Sequence, residues 1–126
     1  MRRGCLLATL VVTCILGCAK PDHITTSESP IPGVYYTIET FNGAGPVDPD
    51  HTRVYAHLER EGKFDKQLVM DGGYIEISRI IWNGPYNVTL CLHNGVTNIF
   101  RNEITMSVGD ASGEYETIHN YLREDC

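Results

Sequence analysis

Five segments of this chain alternate apolar and polar residues with a period of two, and that alternation restricts what the chain can fold into. Val34, Tyr36 and Ile38 interleave with Tyr35, Thr37 and Glu39, and Val54, Ala56 and Leu58 with Tyr55, His57 and Glu59. Ile75 and Ile77 interleave with Tyr74, Glu76 and Ser78. Tyr86, Val88, Leu90 and Leu92 interleave with Asn87, Thr89, Cys91 and His93, and Phe100, Ile104, Met106 and Val108 share a face interrupted by Asn102. Successive side chains of a pleated strand point to opposite faces, so each segment reads as a strand with one face buried. A weaker strand is expected from Lys66 to Met70.

Residues that favour turns separate these strands: Asn42-Gly43, Glu61-Gly62, Asp71-Gly72-Gly73, Asn83-Gly84-Pro85, Asn94-Gly95 and the stretch from Gly109 to Gly113. Asn94-Gly95 carries the strongest expectation of a two-residue hairpin, because a type I′ turn needs positive φ at both central positions. Glu114 to Asp125 is ambiguous. Tyr115, Ile118 and Leu122 would line a helix, whereas Tyr115, Thr117, His119 and Tyr121 would line a strand. The β preference of Tyr, Thr and Ile selects the strand. The expected fold is all-β, a small antiparallel β-sandwich of about six to seven strands over residues 33–126.

One stretch carries a fold-level resemblance. Gly73-Tyr74-Ile75-Glu76-Ile77, followed by Asn83-Gly84-Pro85-Tyr86-Asn87-Val88-Thr89-Leu90, resembles the paired-strand pattern of transthyretin-like and carboxypeptidase-regulatory-like modules. The resemblance implies a transthyretin-like sandwich. The alternation alone fits an immunoglobulin-like one equally well.

The amino terminus has a separate logic. Met1-Arg2-Arg3 is basic, Cys5 to Leu16 is apolar apart from Thr9 and Thr13, and Gly17-Cys18-Ala19 is small. That order is a secretory signal peptide, and its apolar run is too short to cross a bilayer as a helix. Ile15-Leu16-Gly17-Cys18 resembles the lipobox of bacterial lipoproteins. The resemblance implies cleavage after Gly17, so that residues 1–17 are a signal peptide, and lipidation of Cys18. Ala19 in place of Asp after the cysteine leans toward the outer membrane. The competing reading is an ordinary secreted protein cut after Ala19. Residues 18–32 are polar and hold Pro21, Pro30 and Pro32, and are expected to form a flexible tether.

Hydrophobic residues make up 42% and charged residues 21%, values of an ordinary globular domain. The net charge of −6 becomes −8 when Arg2 and Arg3 leave with the signal peptide. A surface so acidic excludes nucleic acid as a partner, since phosphate binding needs clustered Lys and Arg. It would adhere to an anionic membrane only through acyl chains.

Once Cys18 is lipidated and the signal peptide removed, Cys91 and Cys126 are the remaining cysteines. Two thiols in an exported chain form a disulfide by default, and closing this loop contributes roughly 4 kcal/mol in the chain-entropy picture. The competing use of Cys91, as a nucleophile with His93 beside it, needs a thiol kept reduced. His23, His51, His57, His93 and His119 show no metal-ligand spacing, and Asp48-Pro49-Asp50-His51 lacks the glycine-centred loop of a calcium site. No nucleophile elbow, phosphate loop or dinucleotide fingerprint occurs, so no catalytic, cofactor or metal residues are assigned. Tyr35, Tyr55 and Tyr74 fall on the polar faces of their strands, as a contact surface or as cross-strand packing. The sequence therefore suggests an outer-membrane lipoprotein with a non-catalytic periplasmic domain that binds or assembles an envelope protein partner. The alternative is a secreted or surface-displayed ligand-binding or inhibitor protein.

Overall fold

The computed structural model describes residues 20–43, 50–73, 75–93, 95–107, 115–124 and 126. Cys18, Tyr74, Asn94 and the Gly109 to Gly113 turn therefore lie outside the described residues, as do Asp48 and Pro49. Nine strands are described: β1 (His23–Glu28), β2 (Val34–Phe41), β3 (His51–Arg60), β4 (Lys63–Gly73), β5 (Ile77–Gly84), β6 (Asn87–Leu92), β7 (Val96–Phe100), β8 (Glu103–Met106) and β9 (Glu116–Arg123). They form a five-stranded sheet in the order β1-β2-β3-β4-β7 and a four-stranded sheet in the order β5-β6-β9-β8. The expected all-β sandwich is what the chain forms, and Glu116–Arg123 is the strand that its β-branched and aromatic residues favoured.

The core lies between the sheets. Val34 and Tyr36 of β2, Val54, Ala56 and Leu58 of β3, and Val69 and Met70 of β4 meet Val88 and Leu90 of β6, Ile104 and Met106 of β8, and Ile118 of β9. Those of β2, β3, β6 and β8 are the predicted inward positions, because alternation puts every second residue on the core face. In β9 the parity is the opposite of the expected one: Ile118 and Asn120 are buried, while His119 and Tyr121, expected to line the strand, are exposed. Pairing is antiparallel throughout except between β6 and β9, which run parallel. A bulge between Val54 and Tyr55 lets β4 insert an extra residue opposite β3, so Val69 and Met70 are both fully buried.

Four expectations need correction. The supposed tether is shorter than its polarity suggested, because His23–Glu28 pairs along β2 from Thr40 to Tyr35. Its side chains are almost all exposed, so it lacks the apolar face that marks a strand, and backbone pairing alone places it. Asp71-Gly72-Gly73 is not a turn; it continues β4 through a second bulge to pair with β7. β6 and β7, the strands on either side of the expected Asn94-Gly95 turn, belong to different sheets and do not pair as a hairpin. A Cβ on Gly95 would come within 2.7 Å of the Ile75 backbone, and its φ is 110°, so glycine serves close approach there. The two-residue turn with positive φ at both positions is Glu61-Gly62, at 51° and 79°, joining β3 to β4. Finally, the face predicted from Phe100 to Met106 divides into β7 and β8, one in each sheet. The chain crosses at Arg101 and Asn102, whose carbonyls accept from the Asn120 side chain at 3.0 Å and its backbone N–H at 2.8 Å. That crossover and β1 raise the number of strands to nine from the six or seven expected.

Candidate functional site

β1 and β5 are edge strands of opposite sheets, and they border the same side of the sandwich. Along that seam the sheets are joined at one end and apart at the other. At the joined end the Trp82 indole N–H donates to Ser27 Oγ at 2.9 Å, and the ring packs edge-on to Tyr36 at 5.2 Å. Ser29 Oγ donates to the Pro85 carbonyl at 3.2 Å. Beyond Ser27 the seam opens into a groove of about 630 Å³. Ile38 from β2 and Ile75, Ile77 and Ile80 from the β5 side supply its apolar surface. Hydroxyls of Thr25, Ser27, Thr40 and Ser78 interrupt that surface, and Thr52 Oγ1 is already committed to the Ile75 carbonyl at 2.9 Å. Exposed Glu76, Arg79 and His93 stand at the rim. Among the described residues neither Glu76 nor Arg79 has an ion-pair partner.

The chain enters the sandwich at this open end. The Asp22 N–H donates to the Thr40 carbonyl at 2.8 Å, and the Asp22 carboxylate accepts from the Asn42 N–H at 2.7 Å. Cys91 stands opposite Arg79 in the β5–β6 register and forms a disulfide with Cys126, their Cα atoms 5.7 Å apart. The bond ties the chain's last residue to the strand next to β5. It also occupies the thiol that a Cys91–His93 nucleophile would require.

The joined end is further closed by a polar cluster between the sheets. Arg60 of β3 reaches across to Glu116 of β9 at 2.9 Å and donates to the Pro32 carbonyl at 3.0 Å. The Tyr86 hydroxyl donates to the same Glu116 carboxylate, and burial followed by that carboxylate raises its pKa. Deeper in the core the Tyr36 hydroxyl donates to Asn120 Oδ1, where burial drives the phenol's pKa well up. A buried phenol needs such an acceptor, and a buried Asn120 needs its partners, so each accounts for the other.

The outer face of the five-stranded sheet is a packed layer of side chains. Tyr35 stacks on His57 at 4.5 Å, and the imidazole Nε2 lies 2.7 Å from Thr37 Oγ1. The Lys66 ammonium sits 4.2 Å from the centre of the Tyr55 ring and 3.5 Å from Glu39. Arg53 stacks over Phe41, which itself stacks on His51 at 4.7 Å. Tyr35 and Tyr55 thus have their rings engaged by neighbouring strands, the cross-strand use of exposed aromatics. Burial, and then the nearby Lys66 charge, lowers the pKa of His57.

The predicted histidines do not converge: His57 is on this face, His93 on the groove rim, and His119 on β9 facing Glu103 at 3.7 Å. Among the described residues no three His, Cys, Asp or Glu side chains are grouped to hold a metal ion. Alternation did not reveal the groove, because it arises between two edges of different sheets. Its one sequence trace is the run Ile77-Ser78-Arg79-Ile80-Ile81-Trp82, where the period of two breaks down. Searches against protein-family models, curated proteins and solved structures return no match.

Proposed function

We propose that this chain is a bacterial outer-membrane lipoprotein, anchored through Cys18, whose sandwich is a non-catalytic binding module facing the periplasm. The observation that carries the reading is the groove's position at the end of the sandwich where the chain enters. Cys18 precedes Asp22 by four residues, and a chain that short spans at most ~14 Å. Lipid on Cys18 would therefore hold the open end of the groove close to the bilayer surface. Half-buried isoleucines, hydroxyls and two charges with no ion-pair partner among the described residues suit recognition, as ligand sites combine apolar surface with a few placed polar groups. Metabolic palmitate labelling of the wild type and Cys18→Ala tests the anchor. Label in the wild type alone supports it, and equal label or none overturns it. Protease added to intact cells separates the periplasmic domain, which survives, from a surface-displayed one, which is cut.

A further inference from the structure

We infer that the groove between β1 and β5 binds one acyl chain of a zwitterionic phospholipid, with the headgroup between Glu76 and Arg79. The inference rests on the membrane proximity proposed above, and names the ligand of that site. Three observations converge on it, together with that proposed proximity.

The groove's apolar surface is aliphatic, supplied by isoleucines between the hydroxyl-bearing residues. Ile38, Ile77 and Ile80 point toward the core yet remain only half-buried, because the sheets part in front of them. Filling that gap with methylenes removes apolar area from water at roughly 25 cal/mol per Å². The volume, about 630 Å³, lies within the ~300–1,000 Å³ of small-molecule sites and exceeds what a single docked side chain needs.

The rim carries opposite charges. Glu76 disfavours a purely anionic head and Arg79 a purely cationic one, while a head bearing both a phosphate and an ammonium satisfies the two together. The backbone of Arg79 pairs in β6 with the disulfide-bonded Cys91.

The edges resist a peptide. A bound strand would need an even row of free N–H and C=O groups along β5, but the β5–β6 register shifts between Ile77 and Arg79 and again between Trp82 and Gly84. Such bulges bend a strand and interrupt the row. Proximity also favours a lipid: the anchor keeps the groove at a membrane surface, where the effective lipid concentration is high.

The test uses the full-length protein purified from membranes and mixed with vesicles containing phosphatidylethanolamine that bears a diazirine acyl chain. Parallel vesicles carry the same chain on phosphatidylglycerol. After irradiation, adducts are mapped by mass spectrometry. We expect adducts in residues 75–80 and 38–40, about fivefold more from phosphatidylethanolamine, and about fivefold fewer in Arg79→Glu. Thr25→Trp, at an exposed β1 position, should plug the groove and remove them. Adducts only elsewhere, or equal yields in wild type and Thr25→Trp, overturn the acyl site. Equal yields from the two lipids overturn the headgroup assignment, and an absence of adducts because the anchor's own chain fills the groove overturns the proposal as well. The mass of the peptide carrying Cys18 reports lipidation separately, so a missing anchor and an empty groove give different results.

Discussion

The two ends of the β1–β5 seam are held by different chemistry. At the joined end a single large side chain spans the space between the sheets, and Trp82 meets Ser27 and Tyr36 together. At the open end the same strand offers Ile77 and Ile80, which are too short to reach β1, and the space in front of them is the groove. The joined end adds directed polar contacts between sheets, Arg60 to Glu116 and Ser29 to Pro85. The open end has its rigid support behind it, in the Cys91–Cys126 bond on the neighbouring strand. A sandwich can thus leave its edge ajar at one place without loosening, provided one end is bridged by side chains and the other is stapled covalently.

Removing the staple should have the largest effect. Cys126→Ser is expected to lower stability by about 3–4 kcal/mol, because the bridge closes a loop with a sequence separation of 35. Urea unfolding with intact and reduced protein measures this. Hydrogen exchange should show β9 and the β5–β6 pair loosening first. Unchanged stability would mean that β6–β9 pairing alone secures the open end.

Trp82→Ala attacks the other end and should cost about 2–3 kcal/mol, toward the low side for a large aromatic because Trp82 is only half-buried. Its signature differs: exchange should rise in β1, which has few other side-chain contacts, while the disulfide-backed strands stay protected. If β1 exchange is unaltered, backbone pairing with β2 suffices to hold that edge. Ser27→Ala is a finer probe of the same contact. It leaves the buried side of the indole N–H without its acceptor and should cost about 1 kcal/mol.

The legibility of this fold in its sequence follows the same division. β2, β3 and the β8 segment could be read because each buries mainly one face, which leaves a period-two mark on the residues, and β6 because its apolar residues keep to one face although Thr89 and Cys91 on the other are buried too. β1 could not, since His-Ile-Thr-Thr-Ser-Glu buries almost nothing and is positioned only by the backbone of β2. The disulfide could be read from a count of cysteines. The groove could not, because it belongs to no single element: Thr25, Ile38, Ile77 and His93 come together only when two sheets are stacked. Gly95 misled for a related reason, as its need for positive φ comes from crossing close to Ile75 and not from a hairpin.

The smallest expected effect is a pH dependence that arises away from the seam, on the outer face of the five-stranded sheet. His57 stands in the Tyr35–His57–Lys66 row of the five-stranded sheet, with Glu59 and Glu39 also acting on it. Partial burial against Tyr35, and then the Lys66 charge, disfavour the imidazolium in the folded state, and the two carboxylates offset this only in part. The folded pKa therefore lies below the unfolded one, near 6.5. Below the unfolded value the unfolded chain binds the extra proton more readily, so stability is complete above that pH and declines as the pH falls toward the folded pKa. Thermal melts between pH 7.5 and 5 should show this decline, and His57→Gln should reduce it. Lys66→Gln removes the repelling charge and should shift the decline to smaller size without abolishing it, because burial is the larger cause. A decline in His57→Gln as steep as in the wild type would assign the acid sensitivity to another group.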